Sequence, residues 1–257
     1  MTGQAMTAET RPQSQPCLRV WGLGHAYGKL PALNRIDLEV AGPGITGVLG
    51  PNGSGKSTLL NLTAGVFRPR SGGVLLDGVA ALDQAQTSPT PIGHLPEHAP
   101  LHGDMPVDEY LLYAARLRGL SLAQARRRFT EVSQDLDLEP VANQEISTLS
   151  KGYRQRVGIA QALIHSPRFL FLDEPTSGLD PLIRDKVRHC LLRAASEALV
   201  MVSSHSFHEM QGLASQVCIL VDGRIAAPLV AMATVPCLET LYRESLFRAM
   251  TTAPTSP

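Results

Sequence analysis

Residues Gly50-Pro51-Asn52-Gly53-Ser54-Gly55-Lys56-Ser57-Thr58 satisfy the spacing G-x-x-x-x-G-K-[ST]. That spacing serves the holding of phosphate groups. The glycines at 50, 53 and 55 let the backbone bring its N–H groups close to an anion. The first turn of a following helix adds free N–H groups of its own. Lys56 is placed to set a cation on β- and γ-phosphates, and the Ser57 hydroxyl to bind Mg²⁺.

A second group of residues could complete that chemistry. Phe169-Leu170-Phe171-Leu172-Asp173-Glu174 is an apolar run closed by two carboxylates. An Asp at the end of such a strand helps hold Mg²⁺ in phosphate-loop enzymes. Glu174 is then placed to polarise an attacking water. In isolation the pair would read as ordinary surface carboxylates.

These residues need a scaffold of strands and helices. Ile45 to Leu49 reads as a strand entering the phosphate loop, and Leu59 to Leu62 as the helix leaving it. Two earlier strands are expected at Cys17 to Leu23 and Asn34 to Val40, separated by a turn at His25 to Lys29. Further strands are expected at Gly73 to Gly78, Ile92 to Pro96, Arg168 to Asp173, Leu199 to Ser203 and Gln216 to Val221. The stretch from Val79 to Pro91 reads as loop. Helical periodicity fills Asp108 to Gly119, a segment capped by Ser121, Gly152 to His165, Leu182 to Glu197 and Ser206 to Leu213. After Arg224 the pattern is less regular, with a short helix at Leu238 to Glu244. Strands alternating with helices around a phosphate loop imply an α/β fold with a mostly parallel sheet.

The 257 residues suit one large domain, or one with a subdomain. Lys+Arg and Asp+Glu balance at 23 each, so no global field points to nucleic acid or an acidic lipid surface. The Arg126-Arg127-Arg128 run reads as a solvated helix face. The four cysteines have no metal-ligand spacing and suit reduced thiols. No apolar run is long enough to span a bilayer, and Met1 to Pro16 lacks the apolar region of a secretory signal.

Between the phosphate loop and Asp173 lies Leu149-Ser150-Lys151-Gly152-Tyr153-Arg154-Gln155-Arg156. Here the chain resembles the ATP-binding-cassette (ABC) ATPases, whose LSGGQ-type signature matches residues 149–153. Pro175 to Asp180 is similar to the family's D-loop. His205 falls at its switch histidine, and Tyr27 where it stacks an aromatic on adenine. The order is aromatic, phosphate loop, signature, Asp-Glu, D-loop, His, across about residues 17–225. A histidine after a strand is, taken alone, more often structural.

The resemblance implies ATP and Mg²⁺ as cofactors. It implies Glu174 and His205 as catalytic residues. Nucleotide contacts would come from Tyr27, residues Gly50 to Thr58, Glu97, Ser150, Gly152, Asp173 and Asp180. Ser57, Glu97 and Asp173 would hold the metal. It further implies a P-loop NTPase core with an antiparallel β element and an inserted helical subdomain. Residues 17–97 and 166–225 would form the RecA-like core with that β element, and 98–165 the helical signature subdomain. Residues 1–16 would be a disordered tail, and 226–257 a C-terminal helix and tail with Thr251 to Pro257 disordered.

As partners the resemblance implies a second cassette, as in a homodimer, and integral membrane permease subunits, with no nucleic acid. The chain would then be cytoplasmic, peripheral on the inner face of the cell membrane. Val107 to Leu120, with Tyr110, Leu111 and Leu117, would either form a groove for a helix of the membrane partner or pack the subdomain's own core. Glu97 stands where the family usually has Gln. Lys151 and Tyr153 replace the signature's Gly and Gln, and Lys151 could add charge near the partner's phosphate or face solvent. These departures resemble a branch that pairs with ABC-2-type membrane subunits. A soluble ABC ATPase acting on another macromolecule is the alternative reading.

Overall fold

The strands form two sheets, one antiparallel and one mostly parallel. The computed structural model describes residues 15–87 and 90–252.

The smaller sheet is antiparallel, in the order β2-β1-β4-β5. It comprises β1 (Cys17–Tyr27), β2 (Leu30–Ala41), β4 (Ser71–Leu76) and β5 (Val79–Ala80). The first two strands run further than their alternation suggests. Pairing resumes beyond each of three register shifts, between Val20 and Ala26, and Gly22 takes a φ of 51° among them. Such irregularities absorb a break in alternation without ending the ladder. The turn therefore shrinks to Gly28-Lys29, and Tyr27 stands at the strand's tip rather than in a loop.

The larger sheet has the order β10-β9-β3-β8-β7-β6. Strands β3 (Gly44–Leu49), β6 (Ile92–Leu95), β7 (Phe169–Asp173), β8 (Leu199–Ser204) and β9 (Gln216–Val221) are parallel. The stretch after Arg224, expected to be irregular, forms the antiparallel edge strand β10 (Arg224–Ala231). Asp222-Gly223 reverses the chain with positive φ at both residues. Pro228 and two register shifts hid the strand's alternation; an edge strand tolerates both.

The helices are α1 (Lys56–Thr63), α2 (Ala81–Ala85), α3 (Val107–Leu117), α4 (Leu122–Leu136), α5 (Lys151–Leu163), α6 (Pro181–Ala194), α7 (Phe207–Met210) and α8 (Leu238–Thr252). Ser121 closes a full capping box on α4 with Gln124. Three expectations about helices change. The stretch read as loop contains α2, directly after β5. Helix α7 stops at Met210, because Gln211 leaves helical geometry and Gly212 follows at a φ of 67°. Helix α8 runs on to Thr252, so Thr251 and Thr252 are helical rather than tail. Ion pairs Glu239–Arg243 and Glu244–Arg248 lace its surface. At the other end Pro16 is buried and its carbonyl accepts from Gly42 N, so it is not tail either. Residues 1–14 and 253–257 lie outside the described residues.

Strand β7 shows how the core is built. Phe169 and Phe171 pack toward β1, β2 and α1, while Leu170 and Leu172 pack toward α3–α6. A parallel strand covered on both faces reads as an unbroken apolar run. Two helix termini are closed by arginines. Arg156 Nη1 donates to Leu136 O and Asp137 O at the end of α4, both at 2.9 Å. Arg128 donates to Leu163 O and Ile164 O at the end of α5, and pairs with Glu131. Thus Arg126 and Arg127 are solvated as expected, but Arg128 is a C-terminal cap. Tyr110 and Leu111 are core, whereas Tyr113 and Leu117 are exposed. Among the described residues no helix is long and apolar enough to cross a membrane.

Candidate functional site

The carboxyl ends of the parallel strands converge on one edge of the larger sheet, where ligands of such folds bind. The phosphate loop leaves β3 there, Asp173-Glu174 leaves β7, and His205 leaves β8. A cleft of about 540 Å³ opens at this edge. Asn52, Gly53, Gly55 and Lys56 to Thr58 line it on one side, and Glu97, Asp173 and Glu174 on another. Tyr27, Leu30, Pro31 and Ala32 complete the lining. Tyr27 is braced edge-on by His25, with ring centroids 5.0 Å apart, and by Phe67 behind it.

Close packing shapes the loop. A Cβ on Gly50 would sit 2.2 Å from Leu220 O and 2.6 Å from Ser54 Oγ. Gly55 has a φ of 104° and stands where α1 begins. Ser54 is buried beneath the loop with its Oγ unpartnered. Lys56 Nζ donates to Gly50 O at 2.9 Å and Pro51 O at 3.1 Å, so the lysine folds back along the loop. Burial lowers its pKa, and Glu174, Asp173 and Glu97 pull it back up.

Glu174 sits across the cleft, 4.0 Å from Lys56 Nζ. Its backbone takes a φ of 47°, in the left-handed region. That region costs a non-glycine residue on the order of 1 kcal/mol. Its N–H donates to Ser203 Oγ at 2.9 Å, and its carbonyl accepts from Gln155 Nε2 at 3.4 Å. Burial raises the Glu174 pKa, opposed by His205 and then Lys56. A raised carboxyl is a better proton acceptor near neutral pH. Asp173, at the strand end, is buried and accepts from the Ser203 hydroxyl.

The donors Ser57, Glu97 and Asp173 are hard oxygens on one cleft, which suits Mg²⁺. Among the described residues no three or more His, Cys, Asp or Glu cluster as a metal cage. Mg²⁺ normally keeps water and phosphate oxygens in its shell, so a few protein donors fit it.

The remaining sequence candidates stand apart from the cleft. Ser150 is an exposed N-cap of α5, its Oγ accepting from Tyr153 N at 3.4 Å. Gly152 lies in the first turn of that helix, and Lys151 beside it is exposed. Asp180 N-caps α6 through Ile183 N at 3.0 Å. The α5 terminus still presents free N–H groups, the feature that binds anions. Leu30, Pro31, Gln155 and Ser203 escaped the sequence reading. Gln155 and Ser203 stood beside recognised residues, but nothing in the sequence marked Leu30 or Pro31 as cleft-lining.

A family model described as ABC transporter matches residues 33–177. An uncharacterised ABC transporter ATP-binding protein of Bacillus subtilis (strain 168) is 34% identical over 209 residues, covering 81% of this chain and 69% of that one. A solved structure of an ATP-binding subunit of an ABC transporter superposes with a TM-score of 0.77 at 25% identity, covering 91% of this chain and 99% of that chain. The dimeric structure of a bacterial ABC transporter cassette gives 0.72 at 25% identity, covering 81% and 96%.

Proposed function

The chain belongs to the ABC transporter family and is its ATP-binding, ATP-hydrolysing component; on that premise we propose how its residues divide the work and what they drive. Tyr27 stacks on the base, and the backbone of Gly50 to Thr58 wraps the phosphates. Lys56 swings its ammonium from Gly50 O and Pro51 O onto the β- and γ-phosphates. Ser57, Asp173 and Glu97 hold Mg²⁺, which when bound neutralises phosphate charge. Glu174 takes the proton of a water that attacks the terminal phosphate, giving ADP and phosphate, and His205 holds Glu174 in place.

Ser150, Gly152 and Asp180 serve the facing cassette, because they lie outside this chain's own cleft. Two copies would then close two sites between them, and ATP would bridge the copies. The pair would act on membrane permease subunits from the cytoplasmic face. Glu97 and the Lys151-Gly152 signature support the ABC-2-type branch. Residues 17–97 and 166–231 would work as the core, because β10 completes its sheet, and 98–165 as the lobe that carries the signature.

The observation that carries the reading is the Glu174 carboxylate, held between Lys56 and His205. The test is Glu174→Gln, which keeps the shape but cannot take the proton. It should bind ATP, fail to hydrolyse it, and form an ATP-dependent dimer by light scattering. Wild-type turnover would remove Glu174 as the base. A monomer in saturating ATP would point to a different cassette as the partner.

A further inference from the structure

The register of β7 and β8 places Ser203 opposite Asp173. Ser203 is fully buried. Its hydroxyl donates to Asp173 Oδ1 and accepts the Glu174 N–H at 2.9 Å. A hydroxyl has one proton to give and two lone pairs, so both bonds form at once. The neighbouring Ser204 looks the other way and serves its own turn, bonding Glu209 Oε2 and Ser206 N, both within 2.9 Å. The two serines thus divide between the site and the loop behind it.

We propose that Ser203 is a positioning residue that fixes the Asp173 carboxylate and the Glu174 backbone through one hydroxyl. It thereby ties the metal side of the site to its base. The proposal rests on the roles given above to Asp173 and Glu174. The donated bond selects one orientation of the Asp173 carboxylate and leaves Oδ2 clear of it. The accepted bond holds Glu174 in a left-handed conformation that a side-chain-bearing residue does not adopt by preference. The Asp173 carboxylate cannot then turn without disturbing the bond that holds the Glu174 backbone. Such supporting bonds commonly matter nearly as much as the ligands themselves.

The test compares Ser203→Ala, Ser203→Thr and Asp173→Asn in the full chain. Metal-free ATP binding, Mn²⁺ binding to the nucleotide complex by paramagnetic resonance, and melting temperature are read alongside turnover. Ser203→Ala should weaken Mn²⁺ binding and lower kcat, each by about tenfold. Metal-free ATP affinity should hold within about twofold, since the phosphate loop is untouched. Ser203→Thr, which keeps the hydroxyl, should restore much of the loss. Unchanged Mn²⁺ binding in Ser203→Ala, with Asp173→Asn impaired, would overturn the proposal and leave the site reading intact. Unchanged Mn²⁺ binding in Asp173→Asn would overturn the metal reading itself, and the proposal with it. Parallel losses of metal-free ATP affinity and melting temperature in Ser203→Ala would reduce Ser203 to packing and also overturn it.

Discussion

His205 Nδ1 stands 3.0 Å from both carboxylate oxygens of Glu174, so one ring nitrogen spans the whole group. The two residues come from adjacent strand ends, β7 and β8, and are 31 positions apart. With its proton on Nδ1, the ring orients the carboxylate and favours its charged form. It is also the group that opposes the burial of Glu174 most strongly.

That relationship predicts the outcome of His205→Ala. The side chain is 57% exposed, so its loss should barely change the melting temperature. Turnover should fall by roughly 100-fold, because the Glu174 carboxylate, proposed above as the base, loses its orientation, while the KM for ATP moves little. Steady-state kinetics and a thermal melt on the same preparation decide it. A large rise in KM with kcat intact would make His205 a binding residue instead.

Acid sensitivity should come from behind the site. His94 and His165 are both pushed down to about 4, chiefly by burial. Arg118 lowers both further and Arg128 lowers His165, while Asp173 at His94 and the hydrogen bond to Ile92 O at His165 partly offset the shifts. The folded chain therefore keeps both rings neutral at pH values where the unfolded chain protonates them. Their stabilisation is complete above about 6.5 and is lost as pH falls toward 4. At pH 5 the loss is on the order of 1 to 2 kcal/mol for each ring. Urea melts at pH 7 and pH 5 should show the drop, and His165→Gln should shrink it. Equal drops in wild type and variant would mean that other groups set the acid limb.

What the sequence disclosed depended on how local each signal is. The phosphate loop and the Asp173-Glu174 strand were legible because their chemistry needs fixed residue types at fixed spacing. Strand β10 was not, because Pro228 and two register shifts erase its alternation. Tyr27 was named for its position in the chain. Its true setting, a strand tip braced by His25 and Phe67, depends on contacts across 40 residues. Ser203 shows the same limit: a serine beside a histidine carries no pattern until β8 is laid against β7. Arg156 stood in the signature stretch, yet its capping of α4 needs a helix 20 residues away.

The helical lobe gives the last prediction, and here the structure sorts residues that periodicity ran together. Tyr110 and Leu111 are buried in the core, so a docking role is closed to them. Tyr113 is 45% and Leu117 61% exposed on the same helix. The His102 ring stands 6.2 Å from Tyr113 and 5.7 Å from Tyr110, so Tyr113 edges an aromatic patch that begins in the core. Helix α3 follows the segment that leaves Glu97 at the cleft, so movement there can reach this surface. A partner helix would need only a few such anchors. Leu117→Glu should leave the melting temperature unchanged to within about 0.5 kcal/mol, Tyr113→Glu should lose only the edge contact with His102, and both should leave basal ATPase unchanged, since neither side chain lies at the cleft. Stimulation by reconstituted permease should disappear. Retained stimulation would move the docking surface off α3. A matching fall in basal rate and melting temperature would mean that the exposed edge of the helix still serves the lobe's own packing.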